Sequence, residues 1–143
     1  MKVEIWTDGA CRGNPGPGGW AAVIVEEGRE PRELSGGEPD TTNNRMELMA
    51  AIRGLEVIGD DQSAVIYTDS KYVCDGITSW VAGWKRRNWK TASGTPVLNR
   101  PLWERLDALC AGRRISWKWV KGHSGNPNNE RCDVLAVAAA RQF

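Results

Sequence analysis

The hydrophobic period of this chain switches from two residues to 3.6 and back, and the order of those switches limits the fold more than any single motif. Residues 2–8 alternate and end in Thr7, Asp8 and Gly9, which reads as a strand entering a turn. GNPGPGG (13–19) is a Gly/Pro turn and WAAVIVEE (20–27) a second strand, so a hairpin is expected. A third strand is expected around 30–37. Polar turn residues 38–42 then lead to an Asn pair, Asn43 and Asn44, able to cap a helix. Within 43–59, Leu48, Ala51, Ile52, Leu55 and Ile58 recur at helical spacing. The run 64–68 is short and continuously apolar, as in a buried strand. Residues 70–86 predict one or two helices, and a polar loop follows to about 98. Asn99, with Pro101 close behind, opens another helix. Ile115, Trp117 and Trp119 alternate as a fifth strand, 120–129 is a Gly/Asn/Pro loop, and 130–141 is an Ala-rich helix.

The resulting order, βββαβααβα, predicts an α/β fold. Its five-stranded mixed sheet combines an antiparallel meander with parallel strands reached by helical crossovers, and helices flank both faces. At 143 residues the chain is long enough for a substantial core, and a single domain over 1–143 is expected. With 41% hydrophobic and 26% charged residues, the composition is that of a soluble globular protein. Cys11, Cys74, Cys110 and Cys132 include no C-x-x-C pair. Scattered thiols, no signal peptide and no apolar run of spanning length imply a cytoplasmic protein whose cysteines serve packing.

Four acids occupy positions that core-building alone does not favour. Asp8 and Asp69 end the first and fourth strand-like runs, while Glu47 and Asp133 border apolar helix faces. Singly, each has an ordinary reading. Asp8 before Gly9 is a turn signal, Asp69 or Ser70 can cap a helix, Asp133 in a first turn suits the helix dipole, and Glu47 can be a surface residue. Jointly they say more, because ligands of open α/β sheets gather beyond the carboxyl ends of strands, near a switch in strand order. If strands 1 and 4 are parallel neighbours, Asp8 and Asp69 stand side by side there, with Glu47 facing them and Asp133 as a fourth wall. Converging carboxylates repel unless a cation compensates, and hard oxygen ligands suit magnesium or manganese. That arrangement supports in-line phosphodiester hydrolysis with two metal ions. His123, the only histidine, lies in the loop KGHSGNPNNE. It is either simply exposed or placed to shuttle a proton.

The net charge of +1 conceals an uneven distribution. Residues 1–80 hold seven Lys and Arg against fourteen Asp and Glu; residues 81–121 hold ten against two. Within WVAGWKRRNWK (80–90), Trp80, Trp84 and Trp89 interleave with Lys85, Arg86, Arg87 and Lys90. Cations neutralise phosphates and indoles stack on sugar or base, so this segment is a candidate nucleic-acid contact. In the plainer reading, Trp80 and Trp84 are core anchors one helical turn apart.

Four segments, TDGACRGNPGPGGWA, TTNNRMELMAAI, YTDSKYV and VKGHSGNPNNERCDVLA, occur in this order, and with them the chain closely resembles bacterial ribonuclease H of type I. The resemblance spans essentially the whole sequence. It implies a ribonuclease H-like fold and cleavage of the RNA strand of RNA–DNA hybrids with magnesium or manganese, leaving 5′-phosphate and 3′-hydroxyl ends. By match, Asp8, Glu47, Asp69 and Asp133 are the metal-binding acids and His123 assists turnover. Asn129 matches a polar residue near the metals, with Glu130 as a further auxiliary. Segment 80–90 resembles the basic protrusion that grips the DNA strand. Asn14, Thr42, Asn43 and Asn44 match positions lining the hybrid groove, where RNA 2′-hydroxyls and a DNA phosphate are read. Lys71 departs from the pattern: many relatives carry Gln there beside the substrate, and the added cation alters affinity or salt dependence. The resemblance shows no separate hybrid-binding domain, so one domain, monomeric and without an obligatory protein partner, is expected to make all substrate contacts. Two other readings remain: a metal-dependent nuclease or strand-transfer enzyme acting on DNA, and a non-catalytic binder of the same shape.

Overall fold

Alternation in the first forty residues builds an antiparallel meander of β1 (Lys2–Cys11), β2 (Gly16–Val25) and β3 (Arg32–Thr41). The structure, a computed structural model, describes residues 2–143. Helix α1 (Asn43–Glu56) crosses to β4 (Ser63–Thr68), which lies parallel to β1. Then α2 (Lys71–Asp75), a π-helical turn (Gly76–Trp80), α3 (Val81–Arg86) and α4 (Arg100–Cys110) lead to β5 (Ile115–Trp119), parallel to β4. Helix α5 (Pro127–Ala140) follows. The strands lie in the order β3-β2-β1-β4-β5, the mixed five-stranded sheet expected from the order of elements.

Separate apolar cores cover the two faces. Leu48, Ile52 and Leu55 of α1, with Trp103 and Leu106 of α4, pack on Val3, Ile5, Ile24 and Ile66. Cys132 and Ala136 of α5 pack on Trp6, Ala21 and Val23. The two-residue period of β1 makes this division, sending Val3 and Ile5 to one core and Trp6 to the other. Ile5, Ile52 and Ile66 are fully buried, each contributing about 1.5–3 kcal/mol. That burial, more than helix propensity, clamps α1 to the sheet. Gly9 permits the close approach, since a Cβ there would stand 2.7 Å from the Glu47 backbone nitrogen.

The boundaries differ from expectation in three places. Strand β3 runs on to Thr41, opposite Gly16, with a bulge between Gly16 and Gly18. Pairing therefore consumes most of the expected turn at 38–42, and Thr42, not the Asn pair, becomes the cap: its Oγ1 accepts from the Arg45 N–H at 3.2 Å. The segment 70–86 is three contiguous helical pieces rather than one or two. Helix α5 begins at Pro127, three residues early, because Asn126 Oδ1 accepts from the N–H groups of Asn128 and Asn129 at 2.9 and 3.1 Å. Proline suits that first position, where no N–H partner is needed. Asp133 consequently stands in the second turn, and its expected role at the helix dipole is lost.

Candidate active site

The parallel register pairs Thr7 with Thr68, so Asp8, the next residue of β1, stands beside Asp69, the first residue past the end of β4. Helix α1 lowers Glu47 onto the same edge. One carboxylate oxygen from each of Asp8, Glu47 and Asp69 falls within 4.8 Å of the others. Asp8 is 6% exposed and Glu47 5%. The Gly9 N–H donates to Asp8 Oδ1 at 2.9 Å, whereas Glu47 Oε1 is buried without a hydrogen-bond partner.

The electrostatics follow from this crowding. Burial first, then the Asp69 and Asp133 charges, push the Asp8 carboxyl from 3.8 up to about 8, against the opposing Gly9 N–H. Burial followed by the charges of Asp8 and Asp69 holds Glu47 well above the usual carboxylate range. A cluster that retains protons this strongly is one that a divalent cation can stabilise by displacing them. The buried, unpartnered Glu47 oxygen and the all-oxygen donor set fit magnesium or manganese.

The triad opens into a cavity of about 380 Å³, also lined by Asn43, Asn44, Lys71, Tyr72, His123 and Asp133. Asp133 thus faces the site but stands outside the tight triad. His123 is exposed on its loop at φ 57°. Neither Asn129 nor Glu130 is among the described residues lining the cavity. Asn129 is 3% exposed with Nδ2 unpartnered, and Glu130 is exposed.

A second cleft of about 680 Å³ is lined by Asn14, Thr42, Asn44, Tyr72, Trp84 and Asn99, with the 91–98 loop. Asn44 and Tyr72 line both cavities and so connect them. Asn14 Oδ1 accepts from the Asn43 N–H at 2.9 Å, tying the turn after β1 to the start of α1. Tyr72 and Asn99 are absent from the site expected from sequence, where Asn99 served only to open a helix. In fact Asn99 sits at φ 60°, makes no capping bond, and donates from Nδ2 to the Tyr72 hydroxyl at 3.2 Å. The only signal in the sequence was an Asn two residues ahead of Pro101, since Asn tolerates left-handed backbone.

In the basic segment both readings hold in part. Trp84 is an anchor: its ring centroid lies 5.3 Å from that of the buried Trp103 and 5.9 Å from that of Trp80, which is 40% exposed. Lys85 Nζ pairs with Asp107 Oδ2 at 3.0 Å, and Arg87 Nε donates to the Lys90 carbonyl at 3.2 Å. Arg86 and the Lys90 side chain are exposed.

A sequence profile of the RNase H family matches residues 1–141. A ribonuclease H of Alcanivorax borkumensis is 63% identical over 135 residues, 94% of this chain and 89% of that protein. The chain belongs to the RNase H family. As an RNase H it is an enzyme, and its fold agrees with solved members. LC9-RNase H1, described as a type 1 RNase H with the type 2 active-site motif, is 36% identical with a TM-score of 0.85, over 99% of this chain and 72% of that one. LC11-RNase H1, solved in complex with RNA/DNA hybrid, is 25% identical with a TM-score of 0.72, over 98% and 97% respectively.

Proposed function

We propose that the chain hydrolyses the RNA strand of RNA–DNA hybrids, with magnesium or manganese held by Asp8, Glu47 and Asp69 and, across the cavity, Asp133. The observation that carries this reading is the convergence of three carboxylates around an unpartnered Glu47 oxygen. Bound there as a pair, divalent ions supply Lewis acidity toward the scissile phosphate and lower the pKa of water. Glu47 sits deepest and anchors the donor set, while Asp8 and Asp69 present oxygens toward the cavity. His123, on its exposed loop at the rim, carries a proton between solvent and the reacting oxygens. Products carry 5′-phosphate and 3′-hydroxyl ends.

Substrate choice lies in the polar rim. Asn43 and Asn44 offer amide and backbone groups to RNA 2′-hydroxyls, the group that separates RNA from DNA. The adjoining cleft of Asn14, Thr42 and Asn99 accommodates a DNA phosphate. Trp80, Trp84, Lys85, Arg86, Arg87 and Lys90 contact the DNA strand by charge and stacking. Asn129 supports the site from within α5, with Glu130 beside it. The hybrid complex of LC11-RNase H1 supports this choice of substrate. We further read the chain as one domain acting in the cytoplasm, as a monomer without an obligatory protein partner. Its cysteines are free thiols, and no helix among the described residues is long and apolar enough to cross a membrane.

Labelled hybrid, duplex DNA and duplex RNA, each incubated with and without chelator, test the reading. Only the RNA strand of the hybrid should be cut, and only with divalent metal present. Cleavage of duplex DNA, or activity surviving thorough chelation, overturns it. His123→Ala should lower kcat while leaving metal affinity intact, and full turnover in that variant removes the proton-transfer role.

A further inference from the structure

Trp119 is an indole at the end of an edge strand, 45% exposed and outside the apolar clusters. Its contacts are polar and point one way. Its Nε1–H donates to the Asp69 backbone carbonyl at 3.0 Å, and its ring carries the Lys71 ammonium 4.8 Å from the centroid. The backbone reinforces the join: Trp119 is paired with Thr68, and the Val120 N–H donates to the Thr68 carbonyl at 2.9 Å. One side chain therefore touches the residue on either side of Ser70: the backbone of Asp69, whose carboxylate belongs to the triad, and Lys71, the one ammonium among the described residues lining the cavity.

We propose that Trp119 is a positioning residue for this site: it fixes Asp69 through its carbonyl and holds the Lys71 ammonium at the cavity rim, where that ammonium contacts a phosphate of the hybrid. The inference rests on the hybrid-cleaving reading above. The Asp69 carbonyl lies one residue beyond the last paired position of β4, so the indole N–H takes over where the strand ladder stops. Restricting this backbone restricts the carboxylate it carries, as outer hydrogen bonds do at metal sites. The lysine stem is long and flexible. Attraction of its cation to the indole face keeps the charge beside the cavity instead of dispersed in solvent. Without such a hold, an exposed ammonium next to the triad would be drawn onto the carboxylates and compete with the metal.

Two measurements separate the halves. Calorimetric titration of magnesium into metal-stripped, substrate-free protein reads the Asp69 half. Hybrid binding in chelator across a range of salt concentrations reads the Lys71 half. Trp119→Phe keeps a ring beneath Lys71 but removes the N–H; magnesium affinity should fall on the order of tenfold, with the salt slope unchanged. Lys71→Gln should flatten the plot of log affinity against log salt by about 0.7–0.9, the value of one phosphate contact, without weakening metal binding. Trp119→Leu should show both effects. If that variant fails to fold, the other two decide. Variants matching wild type in both measurements overturn the proposal. So does a Trp119→Phe protein that loses hybrid affinity at unaltered magnesium affinity, for then the ring stacks on the substrate itself. Wild-type protein that binds neither magnesium nor hybrid strikes instead at the functional reading.

Discussion

The carboxylate cavity and the tryptophan-rich basic segment handle like charge in opposite ways. In the cavity, acids from β1, the end of β4 and α1 crowd together, Asp8 and Glu47 buried and Asp69 half-buried, and their repulsion goes unrelieved by any cationic side chain in the triad. In the basic segment the charges stay in solvent or find protein partners, and the ring of Trp84 is what packs inward. The difference reflects tolerance. Chemistry at phosphorus depends on ligand placement to a fraction of an ångström, which rigid elements supply at some cost in stability. Binding a polyanion depends mainly on how many cations lie near it, and a flexible surface suffices.

Asp69→Asn tests the contrast most severely. It preserves shape but replaces a charged carboxylate by a neutral amide in one wall, so hydrolysis should fall on the order of a thousandfold or more while the melting temperature holds or rises. Near wild-type cleavage by a folded Asp69→Asn protein would dissolve the distinction between the two regions. Gly122→Ala comes next. A Cβ at this position would meet Asp69 Oδ2 at 2.7 Å. That oxygen is the tip of a flexible side chain, so the fold yields easily, by about 0.5 kcal/mol or less. Activity should not: a displacement of this size is worth on the order of ten- to a hundredfold. Equal losses of stability and activity would show that the loop matters for folding alone.

Much of this was legible in the sequence, for identifiable reasons. Asp8 and Asp69 could be placed together because each ends an apolar run, and topology leaves parallel strands few arrangements. Glu47 followed from helical spacing. Asp133 was read in the right region but in the wrong turn, because Asn126 and Pro127 start α5 earlier than its apolar pattern does. The π turn at Gly76–Trp80 was not legible; Gly76 faces the Trp103 ring across a sequence gap that no local pattern reports. Trp119 and Gly122 escaped for the same reason. Both touch Asp69, some fifty residues earlier, and Trp119 also carries Lys71 on its ring.

Substituting Gln for Lys85, Arg86 and Arg87 together should weaken hybrid binding and reduce its salt slope by about 0.9 for each phosphate no longer neutralised. The three cations do not start as equals. Lys85 is engaged by Asp107 and Arg87 by the Lys90 carbonyl, whereas Arg86 is exposed. Arg86→Gln alone should therefore account for the largest single share and Lys85→Gln for the smallest, in binding isotherms taken at several salt concentrations. Equal shares, or an unchanged slope, would mean that the segment binds by something other than charge.

The smallest effect needs no substrate. With its carboxyl raised from 3.8 to about 8, Asp8 keeps its proton in the folded state long after the unfolded chain has lost it. Between about pH 4 and pH 8 the native state thus binds the extra proton, and the stability of metal-free protein falls as pH rises through that window, levelling off above it. Glu47, displaced in the same direction, adds to the slope. The other shifted groups act elsewhere. Glu33 and Glu38, lowered by Arg131 and Arg45, stabilise the fold above their unfolded pKa of 4.5 and lose that contribution only in acid. The thiols of half-buried Cys110 and buried Cys132, raised from 9.0 to about 11 and about 12, act only above about pH 9. A comparison of pH 5 with pH 8 in chelator therefore isolates the cavity. Asp8→Asn should be more stable than wild type at pH 8 by at least about 1 kcal/mol, each pKa unit being worth about 1.4 kcal/mol, and the two should converge toward pH 4. Magnesium should restore the wild type far more at pH 8, where it displaces fewer protons, than at pH 5. A wild-type protein equally stable at both pH values without metal would mean that its acids are solvated, and the contrast with the basic segment would disappear.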